Sequence, residues 1–82
     1  MRILTREEIL DKIKECKNEM TNIEDELEYI LNELNELEDN GQAETAAYED
    51  FHRDYLTYDY EWEGLRQEKE AYEKMLNKVK IV

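Results

Sequence analysis

Residues 9–37 read ILDKIKECKNEMTNIEDELEYILNELNEL. Apolar side chains recur there at Ile9, Ile13, Cys16, Met20, Ile23, Leu27, Ile30, Leu34 and Leu37. The steps alternate between four and three. Such a stripe repeats about every 3.5 residues and keeps one side of an α-helix turned toward a partner helix. A second stripe with the same spacing follows at Tyr48, Phe51, Tyr55, Tyr58, Trp62, Leu65, Lys69, Tyr72, Leu76 and Val79, with Lys69 its one polar member. Asn40 and Gly41 part the two stripes, and both residue types tolerate the left-handed backbone that ends a helix.

The pattern predicts an all-α fold: an antiparallel two-helix coiled-coil hairpin forming one domain over residues 1–82. The first helix is expected over 5–39, because Thr5 and Glu8 make a capping-box pair at its start. The second is expected over 44–78, with Lys74 and Lys78 in its last turns, where cations suit the helix dipole. The chain has no proline and two glycines, so little in it interrupts a helix. Residues 1–4 and 79–82 read as apolar, β-prone ends that fray.

A short connector makes the helices antiparallel neighbours. Centring the turn between Gln42 and Ala43 pairs Leu37 with Tyr48, Leu34 with Phe51, Ile30 with Tyr55, Leu27 with Tyr58 and Ile23 with Trp62. It continues through Met20 with Leu65, Cys16 with Lys69, Ile13 with Tyr72 and Ile9 with Leu76. Nearly every layer sets an aliphatic residue against an aromatic or aliphatic one, which fills a narrow seam. A slip of one heptad also mates the stripes, but it needs a turn inside the first helix. Lys69 is expected to send its charged tip out of the seam along its flexible stem. Gly64, in mid-helix on the outer side, costs about 1 kcal/mol relative to alanine.

The charge is uneven. The 82 residues carry a formal net charge of −12. Residues 19–63 hold sixteen carboxylates against Arg53 alone, net −15, and the rest of the chain is +3. Such a body repels nucleic acid and anionic membrane and attracts basic protein surfaces. No apolar stretch is long enough for a membrane span, and the first residues lack the apolar run of a secretory signal. One cysteine allows no internal disulfide, and a cytoplasmic location is expected.

Catalysis is not expected. Cys16 and His52 are the only cysteine and histidine. In the hairpin register His52 lies beside Leu31, about 22 Å along the first helix from Cys16 at 1.5 Å per residue. That excludes a nucleophilic pair. Cys16 reads as a small buried apolar group. No cofactor and no dedicated metal site are expected. The crowded carboxylates Glu24, Asp25, Glu26 and Glu28, and Glu36, Glu38 and Asp39, point outward, and the Glu49–His52 pair stands alone off the seam.

The seam's flanks carry acid against acid: Glu19 with Glu68, Glu26 with Glu61, Glu33 with Asp54, and Glu24 with Asp59. Lys17 faces Arg66. Tyr29 and Tyr60 lie on outer faces, with Leu56 close to Tyr60. A helical protein-binding inhibitor is therefore expected, one that occupies a basic, nucleic-acid-binding type of protein surface. By analogy of class it works like the small acidic DNA mimics among phage anti-defence proteins. The residues expected to meet the partner are Glu24, Glu26, Glu28, Tyr29, Glu33, Asp54, Asp59, Tyr60 and Glu61. Leu10, Leu31 and Met75, on the flanks, are expected to mediate self-association into a homodimer, a four-helix bundle. The alternative is a structural coiled-coil assembly module that reads no charge.

Overall fold

The computed structural model describes residues 4–80, with side chains through residue 78. Most of the apolar ends at 1–4 and 79–82 therefore lies outside the described side chains; Leu4 has no regular structure and is half-buried. Two helices make up the fold: α1 (Arg6–Asp39) and α2 (Ala46–Lys80). They lie side by side as an antiparallel hairpin measuring 60 × 19 × 15 Å. The radius of gyration is 18.0 Å, against about 12 Å for a compact domain of this length. The chain is a rod with one seam, so every residue off the seam meets solvent or a partner.

Local chemistry sets the helix ends. The N–H of Glu8 donates to Thr5 Oγ1 at 3.2 Å, and the N–H of Thr5 donates to Glu8 Oε1 at 3.3 Å. This reciprocal capping box starts α1 where the sequence predicts. At its far end Gly41 takes φ +72°. The Gly41 N–H donates to the Glu38 carbonyl at 3.1 Å and the Gln42 N–H to the Leu37 carbonyl at 2.7 Å. These two bonds form a Schellman motif, which satisfies carbonyls the last turn would otherwise leave open.

α2 begins two residues later than the earliest expected start, at Ala46. Thr45 caps the helix instead of joining it: its Oγ1 accepts from the Tyr48 N–H at 3.3 Å and donates to the Gln42 carbonyl at 2.8 Å. The helix continues through Lys80, two residues past the expected end.

Two hydrogen bonds between side chains fix the register. Tyr48 Oη donates to Glu38 Oε1 at 2.7 Å, and Trp62 Nε1 donates to Glu24 Oε1 at 3.0 Å. Glu38 adjoins Leu37 and Glu24 adjoins Ile23, the layer partners predicted for Tyr48 and Trp62. A one-heptad slip would move each acceptor two turns away. The centred register therefore holds.

Burial is lopsided. Ile9, Ile13, Cys16, Met20, Ile30 and Leu34 are buried, and all six belong to α1. No described side chain of α2 is buried. The aromatic rings of the α2 seam keep their rims in water, but ring size does not select which α1 residues are buried: Ile9, Cys16 and Met20 face Leu76, Lys69 and Leu65, whereas Leu37, opposite Tyr48, is half-buried. Ile23 and Leu27 are only half-buried, which breaks the buried stripe at mid-rod. Lys69 keeps its stem in the seam and its Nζ bonds Glu73 Oε1 at 3.0 Å on the outside, as expected of a snorkelling lysine.

Candidate protein-binding surface

The heptad positions of the two helices sort the flanks into two sides. On one side Glu19, Glu26 and Glu33 of α1 run beside Glu68, Glu61 and Asp54 of α2. Five of the six are exposed and Glu33 is half-buried. Between the rows lies a shallow groove of about 440 Å³ lined by Glu19, Ile23, Glu61, Gly64, Leu65 and Glu68. Gly64 faces open space there: a Cβ built on it meets nothing within 4 Å. Its floor is apolar and its rim is three carboxylates from both helices.

Cations do not neutralise these rows. The ion pairs Lys12–Glu15, Arg53–Asp50, Arg66 with Glu63 and Glu70, and Lys69–Glu73 each lie within one helix, and none includes a carboxylate of the two rows. The hydrogen bond from Arg66, with its positive charge, holds the Glu63 carboxyl below the usual carboxylate range. Arg66 thus spends its guanidinium on its own helix and does not face Lys17 as a free charge.

On the opposite side two of the acids have internal work. Glu24 accepts from Trp62 and Glu38 accepts from Tyr48. Glu24, expected to meet a partner, is thus already bound across the seam. Burial raises the pKa of the Cys16 thiol, and the charges of Glu68, Glu19 and Glu15 add to this. The thiol is buried and free. Among the described residues no group of three or more His, Cys, Asp or Glu side chains is placed to hold a metal ion.

The structure gathers the predicted partner residues only in part. Glu26, Glu33, Asp54 and Glu61 share one side. Tyr29 also lies there, but not as a free outer residue: its ring meets Phe51 edge-on, with centroids 6.5 Å apart. Glu28 and Asp59 lie on the other side, both exposed. Tyr60 stands on the back of α2 and is 82% exposed. Leu10, Leu31 and Met75 are all exposed. Leu10 and Leu31 occupy the same flank, about 31 Å apart along α1, whereas Met75 occupies the other, so the three do not form one patch.

The sequence places Leu56 and Tyr60 together on the outer side of α2 but does not reveal the concavity they line. Ala43, Glu44, Tyr48, Glu49, His52, Arg53, Leu56, Thr57, Tyr60 and Glu61 line a broad concavity there of about 1050 Å³. Tyr48 and His52 stack within it, centroids 6.3 Å apart and planes 10° from parallel. The signal was present: Tyr48, His52, Leu56 and Tyr60 recur every fourth residue. It is masked by the stronger seam period that shares Tyr48.

No described helix is long and apolar enough to cross a membrane. Comparison with protein-family models, with curated proteins and with solved structures gives no match.

Proposed function

We propose that this chain is a protein-binding module whose acidic half occupies a basic surface of a partner, of the kind that otherwise holds nucleic acid. One observation carries the reading: among the described residues, only Asp50 and Glu63 of the sixteen carboxylates in residues 19–63 are ion-paired, each to an arginine of its own helix. The net charge of −15 over residues 19–63 is spread along about 32 Å of rod, from the helix rise. That is roughly one charge per 2 Å, close to the one per about 1.7 Å of duplex DNA. The rod is also narrow, 19 × 15 Å in section. Binding of this kind inhibits a nucleic-acid-binding protein by competition, as a DNA mimic does. A reducing, cytoplasmic setting suits the free thiol of Cys16.

The test is competition. A labelled duplex is bound to each of a panel of sequence-independent DNA-binding proteins at low salt, and the chain is titrated in. Displacement that weakens steeply with salt is expected, and replacing Glu26, Glu33, Asp54 and Glu61 by their amides should abolish it. No displacement from any of them at low salt would refute the reading.

A second reading is a homodimeric assembly module that buries the exposed Leu10 and Leu31 on one flank and Met75 on the other. A strictly monomeric chain in sedimentation equilibrium at high micromolar concentration would exclude it.

A further inference from the structure

The back of α2 is the broadest concavity described and holds the two most exposed large apolar side chains of α2, Leu56 at 55% and Tyr60 at 82%. Tyr48, His52, Leu56 and Tyr60 follow one another at intervals of four. They form a single ridge of the kind that packs into the grooves of another helix. The face runs over residues 43–61, about 25–30 Å at the helical rise. Apolar anchors at one-turn spacing are how a helix is received on a helical surface.

Charge decides which helix. The lining of this face holds three carboxylates, Glu44, Glu49 and Glu61, against the one guanidinium of Arg53. Arg53 is itself paired with Asp50 at 2.9 Å. Glu44, Glu49 and Glu61 stand at the edge of the concavity. A second copy laid on this face would bring the same carboxylates against them. A helix with leucine-like residues on one side and lysine or arginine beside them meets both the apolar ridge and its acidic edge.

We propose that this face of α2 docks an amphipathic basic helix of the partner, completing a three-helix packing with the ridges crossing at about 50°. The inference rests on the reading that the partner is basic, and it adds where the partner's helix sits and what its inner side carries.

The probe is a peptide about 18 residues long, enough to span the face, with leucines on one helical side and lysines elsewhere. The control has the same composition with the leucines spread evenly around the helix. Both are titrated into the isotopically labelled full chain by NMR. Shifts concentrated at Tyr48, His52, Leu56 and Tyr60 are expected. The amphipathic peptide should bind at least about tenfold more tightly than its isomer. The double variant Leu56→Ser, Tyr60→Ser should erase that preference. Both side chains are exposed, so its helix content should match the parent. Equal binding of the two peptides, with shifts on the rows of Glu26, Glu33, Asp54 and Glu61, would overturn the docking face and leave the acidic-surface reading standing. No binding of either peptide at low salt would overturn both. A parent dimer that the double variant makes monomeric would also overturn the proposal, since the occupant would then be a second copy.

Discussion

The same substitution at the two glycines should move stability in opposite directions. Gly64 lies inside α2 with ordinary helical backbone, and a Cβ there meets nothing within 4 Å. Gly64→Ala therefore gains helix propensity, about 1 kcal/mol, without a steric cost. For a domain of this size that raises Tm by roughly 4–8 °C. Gly41 also has open space around it, but its φ is +72°. A side chain there crowds its own carbonyl, at about 1–2 kcal/mol, and strains the turn that closes the Schellman motif. Gly41→Ala should thus fall below the parent, and the two variants should differ by about 2–3 kcal/mol. Far-UV circular dichroism melts and urea titrations at two protein concentrations measure this and reveal any contribution from association. If Gly64→Ala is no more stable than the parent, the regular course of α2 through the groove is wrong. If Gly41→Ala matches the parent, the turn does not depend on the left-handed residue.

Adjacent residues of α1 should respond very differently: Ile30→Ala, at 3% exposure, should lower stability by about 2–5 kcal/mol, and Leu31→Ala, at 46% exposure, by about 0.5 kcal/mol or less in the same urea assay. Cys16 should react with thiol reagents more slowly than a free thiol at pH 8, and at a normal rate once denaturant unfolds the chain. Its folded pKa is raised, so the folded state holds the thiol proton more tightly than the unfolded chain does. Its contribution to stability is complete below the ordinary thiol range and is lost as pH climbs from about 8.5–9 through the folded value, which melts at stepped pH of the parent and Cys16→Ala will show. The hydrogen bond to Glu38, with smaller contributions from burial and the carboxylate's charge, raises the Tyr48 phenol pKa. Tyr48 should ionise late in an ultraviolet pH titration, and Glu38→Gln should bring it back toward the ordinary phenol range.

The hairpin was legible because each of its determinants is local or periodic. Thr5 with Glu8 and Asn40 with Gly41 are end signals, and the four-three stripes hold for about eight turns each. Register followed from the turn position, since only one alignment leaves Gly41 outside both helices. What escaped the sequence depends on how far side chains reach. Nothing in the spacing says that the Trp62 indole turns to Glu24, or that Tyr48 reaches Glu38, because both bonds follow from ring rotation across the seam. Tyr29 reads as outward by its heptad position, yet its ring reaches Phe51. The exclusive burial of α1 side chains also escapes the pattern, because periodicity gives every seam position the same weight. The acid rows were legible as composition. Their lack of cations was not, because Arg53 and Arg66 had first to be seen bonding within their own helix.

The lateral hydrogen bonds also order events in time. Tyr48 and Glu38 are 10 residues apart in the chain, and Trp62 and Glu24 are 38 apart. Closing the shorter loop loses less chain entropy, so the hairpin has reason to nucleate at the turn and zip toward Ile9. The turn end is also where like charges are densest, so the nucleus must form against their mutual repulsion. Dissolved salt weakens that repulsion over a Debye length. The ionic strength of the surroundings thereby becomes a throttle on how fast this rod assembles.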